Sequence, residues 1–515
     1  MSRSRMLMRR VAALAAGAAL LTFCGVAGAT SIPSSSGPGH PRAFLGTPGA
    51  GQPVAFGEEA PRHPFMAPNG SSNIHDDAYQ SDAYTWAGPL GRAPTITSTF
   101  QARDCASVTF DSRGYIVTVC VGANRPVLEL LDPVTLAMIA SYPLPRRKVS
   151  SIPNTFTSFG GGGYFYLDNL DRAVVPTNHG TIDVIAENGK AFRLVRTYDI
   201  SRLVKSSSII SALPDWSGRL WFVTGAGVVG FIDPSTGAVR SKALHEDIGN
   251  SFAVDETGGV FIVTDHALYR FDVVGGLPQA TWRSPYDSGT RVKPGQTEHG
   301  SGTTPTLVRR GSEHFVAITD NADPRMHVLV YRADASGPGT APICAMPVFA
   351  AGHGDTDNSL IAIGDSIVVE NNYGYTGPVA RPPSGPFRIT PTTQPGVTRI
   401  DVDYAAGGCH IAWANKVVRV PSSVSKASAA AGLVYVYEHP SAQQVQYSGP
   451  RPAGPLASDP WYLTALDLNT GRRMWSVLTG YGLGYNNHYA PITIAQDGTA
   501  YVGVLGGLLR IRDSS

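Results

Sequence analysis

The sequence predicts an all-β fold, an eight-bladed β-propeller of four-stranded antiparallel sheets, and three observations predict it. Only 16% of the 515 residues are charged while Gly (57) and Pro (39) are plentiful, which suits short strands joined by turns better than helical bundles. One hairpin recurs, an apolar strand, an Asp-led turn with Gly and a β-branched or aromatic strand: TFDSRGYIVTV, LPDWSGRLWFV, AVDETGGVFIV and IAQDGTAYVGV. A second Asp-led hairpin follows it in ELLDPVTLAMIASY, GFIDPSTGAVRSK and ALDLNTGRRMWSV. Each unit is therefore four antiparallel strands, A to D. One such sheet cannot bury both faces, so neighbours must stack, and radial stacking gives a propeller.

The elements follow in chain order. Arg3, Arg5, Arg9 and Arg10 precede an apolar run from Val11 to Phe23, and Ala27-Gly28-Ala29 has the small-x-small pattern of a cleavage site, so residues 1–29 read as a signal peptide. Phe23 is too bulky to precede a lipid-bearing Cys24. Residues 30–94 form a Pro/Gly-rich arm, and 30–80, lacking periodicity, read as extended or disordered. Within it Asn73-Ile74-His75-Asp76-Asp77-Ala78-Tyr79 is denser in ligand-type side chains than a spacer requires, although a solvated approach to the next strand is the favoured reading. The single propeller domain spans 95–515. Its blades fall at about 105–145, 163–201, 208–244, 251–287, 304–350, 359–415 and 427–480, with an incomplete eighth at the carboxyl end. Thr95 to Phe100 alternates correctly to supply the missing strand and close the ring, which would remove exposed edges. Blades two and six are irregular, so seven blades is the fallback.

Without the leader, 37 of the 41 Lys and Arg remain against 39 Asp and Glu, a formal charge of −2. A near-neutral chain with no basic block lacks the footprint of a nucleic-acid or anionic-membrane binder, and no run after the leader is long enough to span a bilayer. Export implies an oxidising, periplasmic or extracellular destination. Cys105 and Cys120 flank a hairpin turning at Asp111 to Gly114; pairing Phe110 with Tyr115 sets the two cysteines opposite each other, and a bridge is predicted. Cys344 and Cys409 form the second pair by elimination, each in a short strand at an equivalent place in successive repeats.

The unit from Ala465 to Trp475 (ALDLNTGRRMW), and the Asp-x-x-Thr-Gly of Asp233 to Gly237, resemble the repeat of the pyrroloquinoline-quinone (PQQ) dehydrogenase propeller superfamily. The resemblance covers roughly 95–513 as architecture and is sharp in two or three blades. It implies a propeller that is either a calcium- and quinone-dependent dehydrogenase or a non-catalytic scaffold, with PQQ as the implied cofactor. The dehydrogenases set adjacent cysteines against the quinone; this chain has no Cys-Cys pair and no C-x-x-C-H haem attachment.

Propeller geometry puts the A–B and C–D turns on one face and the B–C loops and D-to-A links on the other. The second face collects the unusual residues. Its links carry His245-Glu246-Asp247, Glu298-His299, His353 to Asn358, and Asn486-Asn487-His488-Tyr489; its B–C loops add Asn178-His179, Asp265-His266, Asp320-Asn321, Glu370-Asn371-Asn372 and Glu438-His439. His245, His299 and His353 recur every 54 residues, close to the mean blade length, so they are expected on one ring around the axis. Converging imidazoles, completed by Asp357 or His488, would hold a divalent metal, with Ca, Zn and Fe all open as its identity. Such a metal would polarise a carbonyl or activate water, with Glu370 or Asp320 as general base. Asn358, Asn371, Asn372, Asn487 and Tyr489 are candidate ligand contacts. So is Arg381, in the first of two long insertions (Tyr373–Pro395 and Pro440–Pro460) that would act as lids; Phe387, Arg388 and Tyr447 are further contacts there.

There is no G-x-S-x-G elbow, phosphate loop or dinucleotide fingerprint, so α/β-hydrolase, P-loop and NAD chemistry are disfavoured. The leading expectation is an exported propeller binding a small polar ligand at the channel mouth with a divalent metal, as a metal-assisted lyase, hydrolase or oxidoreductase. The alternatives are a non-catalytic scaffold that binds a protein partner, and a divergent PQQ-dependent dehydrogenase.

Overall fold

The computed structural model describes residues 30–34, 39–122, 125–147, 161–204, 207–334, 341–378, 392–451 and 459–514. The leader, Arg381, Phe387 and Arg388 lie outside them. Eight antiparallel sheets follow one another around an axis, as the repeats predict. The innermost A strands are Asp104–Phe110, Tyr166–Leu167, Ile209–Pro214, Ala253–Val254, Thr306–Arg310, Ile361–Ile363, Lys426–Ser428 and Ile492–Ile494. The outermost D strands of blades one to seven are Met138–Pro143, Phe192–Asp199, Val239–Ala243, Leu277–Pro285, Cys344–Pro347, Cys409–Asn415 and Arg473–Tyr481. Blade eight takes its D strand from Thr95–Phe100, which pairs antiparallel with Gly507–Arg512, so the two ends of the domain close the ring.

The recurrent aspartates explain why these sequences turn where they do. In the A–B turns Asp111, Asp168, Asp215 and Asp255 each accept the amides two and four residues on. In the C–D turns Asp132, Asp233, Asp403 and Asp467 each accept those two and three residues on. These are Asx turns, in which a short side chain replaces the backbone partner that the strand has just left. Gly218 and Gly237 complete two of them at φ 83° and 75°, where a side chain would be strained.

Both disulfides form, Cys105–Cys120 and Cys344–Cys409. The first rests on a register different from the expected one. Phe110 faces Ile116, not Tyr115, and a bulge between Cys105 and Val108 takes up the extra residue so that Cys105 again faces Cys120. The second joins the outer strands of blades five and six.

The arm is the main correction. It is ordered over most of its length and largely buried from Ser72 to Tyr84. Phe44–Gly46 adds to the outer edge of blade seven, and Ala83–Tyr84 runs parallel to that blade's A strand. Between these points the chain crosses the A–B turn face, where Gly364 N–H donates to Phe56 O and Asn169 to Pro64 O. It then enters the channel. A strands have one unpaired edge facing the axis, and the arm's carbonyls accept its donors. Leu167 N–H donates to Ser72 O (2.8 Å), Val254 to Ala78 O (3.1 Å), Leu307 to Tyr79 O (2.8 Å), Ala362 to Ser81 O (2.9 Å) and Ala427 to Asp82 O (3.0 Å). A low-hydrophobicity segment is thus ordered by backbone hydrogen bonds that a composition rule does not count. Among the described residues no helix is long and apolar enough to cross a membrane.

Candidate functional site

The plug closes the channel from the A–B turn face and leaves a blind cavity of about 440 Å³ open towards the D-to-A links. Its floor is Ile74 and His75. Its walls include residues that precede or begin A strands in seven blades, Asp104, Gly163 and Tyr164, Asn250, Thr304, Asp357 to Ser359, Val424, and His488 with Tyr489, together with Arg103, Arg147 and loop residues of blades eight and one. Because A strands are innermost, the last residues before them are the ones that reach the axis.

That rule also shows why the predicted histidine ring does not form. His245 lies two residues past the D strand ending at Ala243 and is exposed. His353 lies six residues past Pro347, is also exposed, and packs edge-on against Tyr373. His299, deeper in a long link, is half-buried with Nε2 against Gly289 O (3.2 Å), in a separate surface cleft with Asp247, Asp265 and Glu298. Equal spacing in sequence hides unequal distances from the strands. Among the described residues no group of three or more His, Cys, Asp or Glu side chains is placed to hold a metal ion, so Asp357 and His488 do not join those imidazoles in a coordination shell.

Other candidates divide between wall and framework. Asp357, Asn358, His488 and Tyr489 line the cavity. Asn372 is spent on structure: its oxygen accepts from Asp357 N (2.8 Å) and Thr356 Oγ (3.0 Å), and its amide donates to Val420 O. Asn371 holds the same link through Asp355 N and His353 O. Asn487 donates to Gly503 O. Asp320, the proposed base, is tied into its own loop by His327 N (2.6 Å) and His327 Nδ1 (2.8 Å). Glu370 is buried at the end of a strand, outside the cavity lining, and neither oxygen makes a hydrogen bond of normal geometry. Burial pushes its carboxyl up to about 8, with the Asp82 charge adding to the rise. Tyr447 bridges to Pro41 in the arm.

The residues that sequence reasoning missed sit on the floor. His75 is 2% exposed; its Nδ1 lies 3.1 Å from Asp82 Oδ2, and Ser359 Oγ closes on the same nitrogen at 2.8 Å. Lys426 Nζ, fully buried, donates to Asp82 Oδ1 (2.5 Å), Asp76 Oδ2 (3.0 Å) and Ile74 O (2.8 Å), which uses all three of its protons. Burial opposes charge on Asp82, but Lys426 and His75 outweigh it and hold the carboxyl below the usual range. Burial wins at Asp76, raised to about 7, and at Asp77, raised to about 6. Asp82 accepts from the Nδ1–H of His75, which fixes the ring and leaves Nε2 on its other side. That nitrogen is buried without a partner. So is Asp104 Oδ1 in the wall, where burial drives the carboxyl well above its ordinary range. The density of NIHDDAY was the available signal for His75. For Asp104 the signal was its place at the start of an A strand.

Among the described residues the four cysteines are joined in two bridges between strands, and none lies in the cavity lining.

No protein-family model matches the chain. An uncharacterized protein of Archaeoglobus fulgidus is 25% identical over 376 residues, 68% of this chain and 70% of that protein. Among solved structures, BamB from Moraxella catarrhalis aligns with TM-score 0.46 at 12% identity, covering 82% of this chain and 98% of that one. A streptogramin B lyase aligns with TM-score 0.37 at 9% identity, covering 81% and 97%. At these levels neither carries a function to this chain.

Proposed function

We propose that the chain is an exported ligand-binding propeller whose blind axial cavity takes a small organic molecule. The observation that carries this reading is the pair of unpartnered buried atoms, His75 Nε2 and Asp104 Oδ1, among the residues of one cavity. Buried polar atoms are nearly always hydrogen-bonded, and leaving one unmade costs about 1–3 kcal/mol, so two around one void favour a ligand that completes them. The volume, about 440 Å³, falls in the range of small-molecule sites. Export is supported by the leader pattern and by the two disulfides.

The experiment is a ligand-observed NMR screen of a broad fragment library on the full mature chain, repeated on Leu505→Trp, which fills the cavity from its wall. Hits that the filled variant loses while circular dichroism is unchanged support the reading. Hits that it retains in full, or none at all, contradict it and favour a scaffold.

One arrangement favours a catalytic extension. A carboxylate on Nδ1 stabilises the imidazolium that forms when Nε2 accepts a proton, so His75 is placed to act as a base on a bound molecule. Ser359 is not a nucleophile in this arrangement, because its hydroxyl lies on the Nδ1 side and donates to Asp82.

A further inference from the structure

We infer that the axial cavity selects an organic anion, a carboxylate on an apolar body, with the Arg103 guanidinium as its principal contact. This rests on the ligand-binding reading above and adds the chemical class.

Two cations of the lining, Arg103 and Arg147, meet at Gly122, which lines the cavity with them. The Arg103 stem crosses that glycine so closely that a Cβ there would stand 3.0 Å from Cγ, and Arg147 Nη1 reaches Gly122 O (3.4 Å). Arg103 Nη1 donates to Gln101 O (3.3 Å); among the described residues its Nε–H and Nη2–H donate to no protein atom. Those two protons form one edge of the planar fork that grips both oxygens of a carboxylate. Arg147 enters only through its charge. Burial lowers its pKa, but from an ordinary value so far above neutrality that the guanidinium stays cationic at pH 7.

The carboxyls of the region offset little of this charge below neutrality. Burial holds Asp104 well above its ordinary range, so it stands in the wall as a neutral acid whose O–H can donate to an anion. Asp357 is raised to about 7, and Thr297 N (3.1 Å) and Thr297 Oγ (2.8 Å) already donate to it. Glu129, outside the lining, feels the Arg103 charge, yet burial still raises its carboxyl to about 7. Asp82, beneath His75, is ionised, but Lys426 compensates it. The two imidazoles of the lining, His75 and His488, can only add positive charge. A carboxylate ligand therefore meets a wall that favours it, and an ammonium one that repels it. Phe100, Val121, Leu483 and Leu505 in the same lining suit an apolar body.

The test is titration calorimetry of the full mature chain at about pH 6, where Asp357 and Glu129 mostly keep their protons and a carboxylate ligand has lost its own. Matched trios carry a carboxylate, an alcohol or an amine on benzyl, phenylbutyl and cyclohexylmethyl bodies. At least one carboxylate is expected to bind about ten-fold or more tighter than its own alcohol and amine, the factor that charge-assisted hydrogen bonds add over neutral ones. Arg103→Gln should bring that carboxylate down to the affinity of its alcohol. Arg103→Lys, which keeps a charge but not the fork, should weaken it at least about three-fold and serves should the glutamine variant not fold. Tighter binding of the alcohols or amines, or a carboxylate preference that survives these substitutions, overturns the inference while leaving the cavity reading intact. Silence from all the trios also overturns it, and the broad library on wild type and Leu505→Trp then decides whether the cavity reading falls too.

Discussion

The arm between Ser72 and Tyr84 and the three link histidines invite opposite expectations, and the structure exchanges their places. The arm looks like a spacer and is the axle of the propeller. The histidines look like a metal ring, yet two lie exposed just past D strands and the third in a separate cleft. The difference is one of phase and pairing. A residue's distance from the axis depends on how far it stands from the nearest A or D strand, which a 54-residue interval does not report. A segment's burial here depends on the unpaired inner edges of five A strands, which composition does not report.

The sharpest way to break the comparison is to remove the cation at the centre of the axle. Lys426→Met leaves Asp76 and Asp82 facing each other without their shared cation, and we expect a loss of about 3–5 kcal/mol in denaturant unfolding. Adding Asp76→Asn and Asp82→Asn to it should restore much of that stability, because the cost lies in the orphaned charge. At the rim, covalent linkage should matter more than imidazole chemistry. Replacing Cys344 and Cys409 by serine, which frees the outer strands of blades five and six, should cost about 2–4 kcal/mol.

Acidity sharpens the same contrast. With its folded value raised from 4.5 to about 8, Glu370 keeps its proton in the folded state over a range where the unfolded chain has released it. Stability should therefore fall as pH rises through that window, by up to about 1.4 kcal/mol per pH unit for this group, and level off above it. Asp76 adds a fall between 3.8 and about 7. Glu370→Gln should flatten the segment between pH 7 and 8 in a series of urea melts. The smallest effects belong to the exposed link histidines: His245→Ala and His353→Ala should each change stability by less than about 0.5 kcal/mol. A large loss in either would restore a structural role to the ring.

Much of the fold was legible because its determinants are local. The Asp-led turns repeat, the strands between them alternate, and Thr95–Phe100 shows the pattern needed to complete blade eight. The disulfide partners were legible too, although the bulge after Cys105 was not, since a one-residue shift leaves no mark in the turn sequence. At the site, Asp357 and His488, read as metal ligands, and Asn358 and Tyr489, read as ligand contacts, line the cavity because each stands shortly before an A strand. His75 and Asp104 were missed for separate reasons. His75 belongs to a segment whose order comes from long-range backbone pairing, and Asp104 is a single carboxyl whose meaning appears only when the wall around it closes.

The central claim is that residues 72–84 are a permanent plug that makes the channel blind. Hydrogen exchange of the full mature chain, followed by mass spectrometry, tests it most directly. Amides in that segment should exchange as slowly as those of the A strands they adjoin, such as Val254 and Leu307. Complete exchange of 72–84 within seconds, with the A strands still protected, would show an open channel and leave the cavity without its floor.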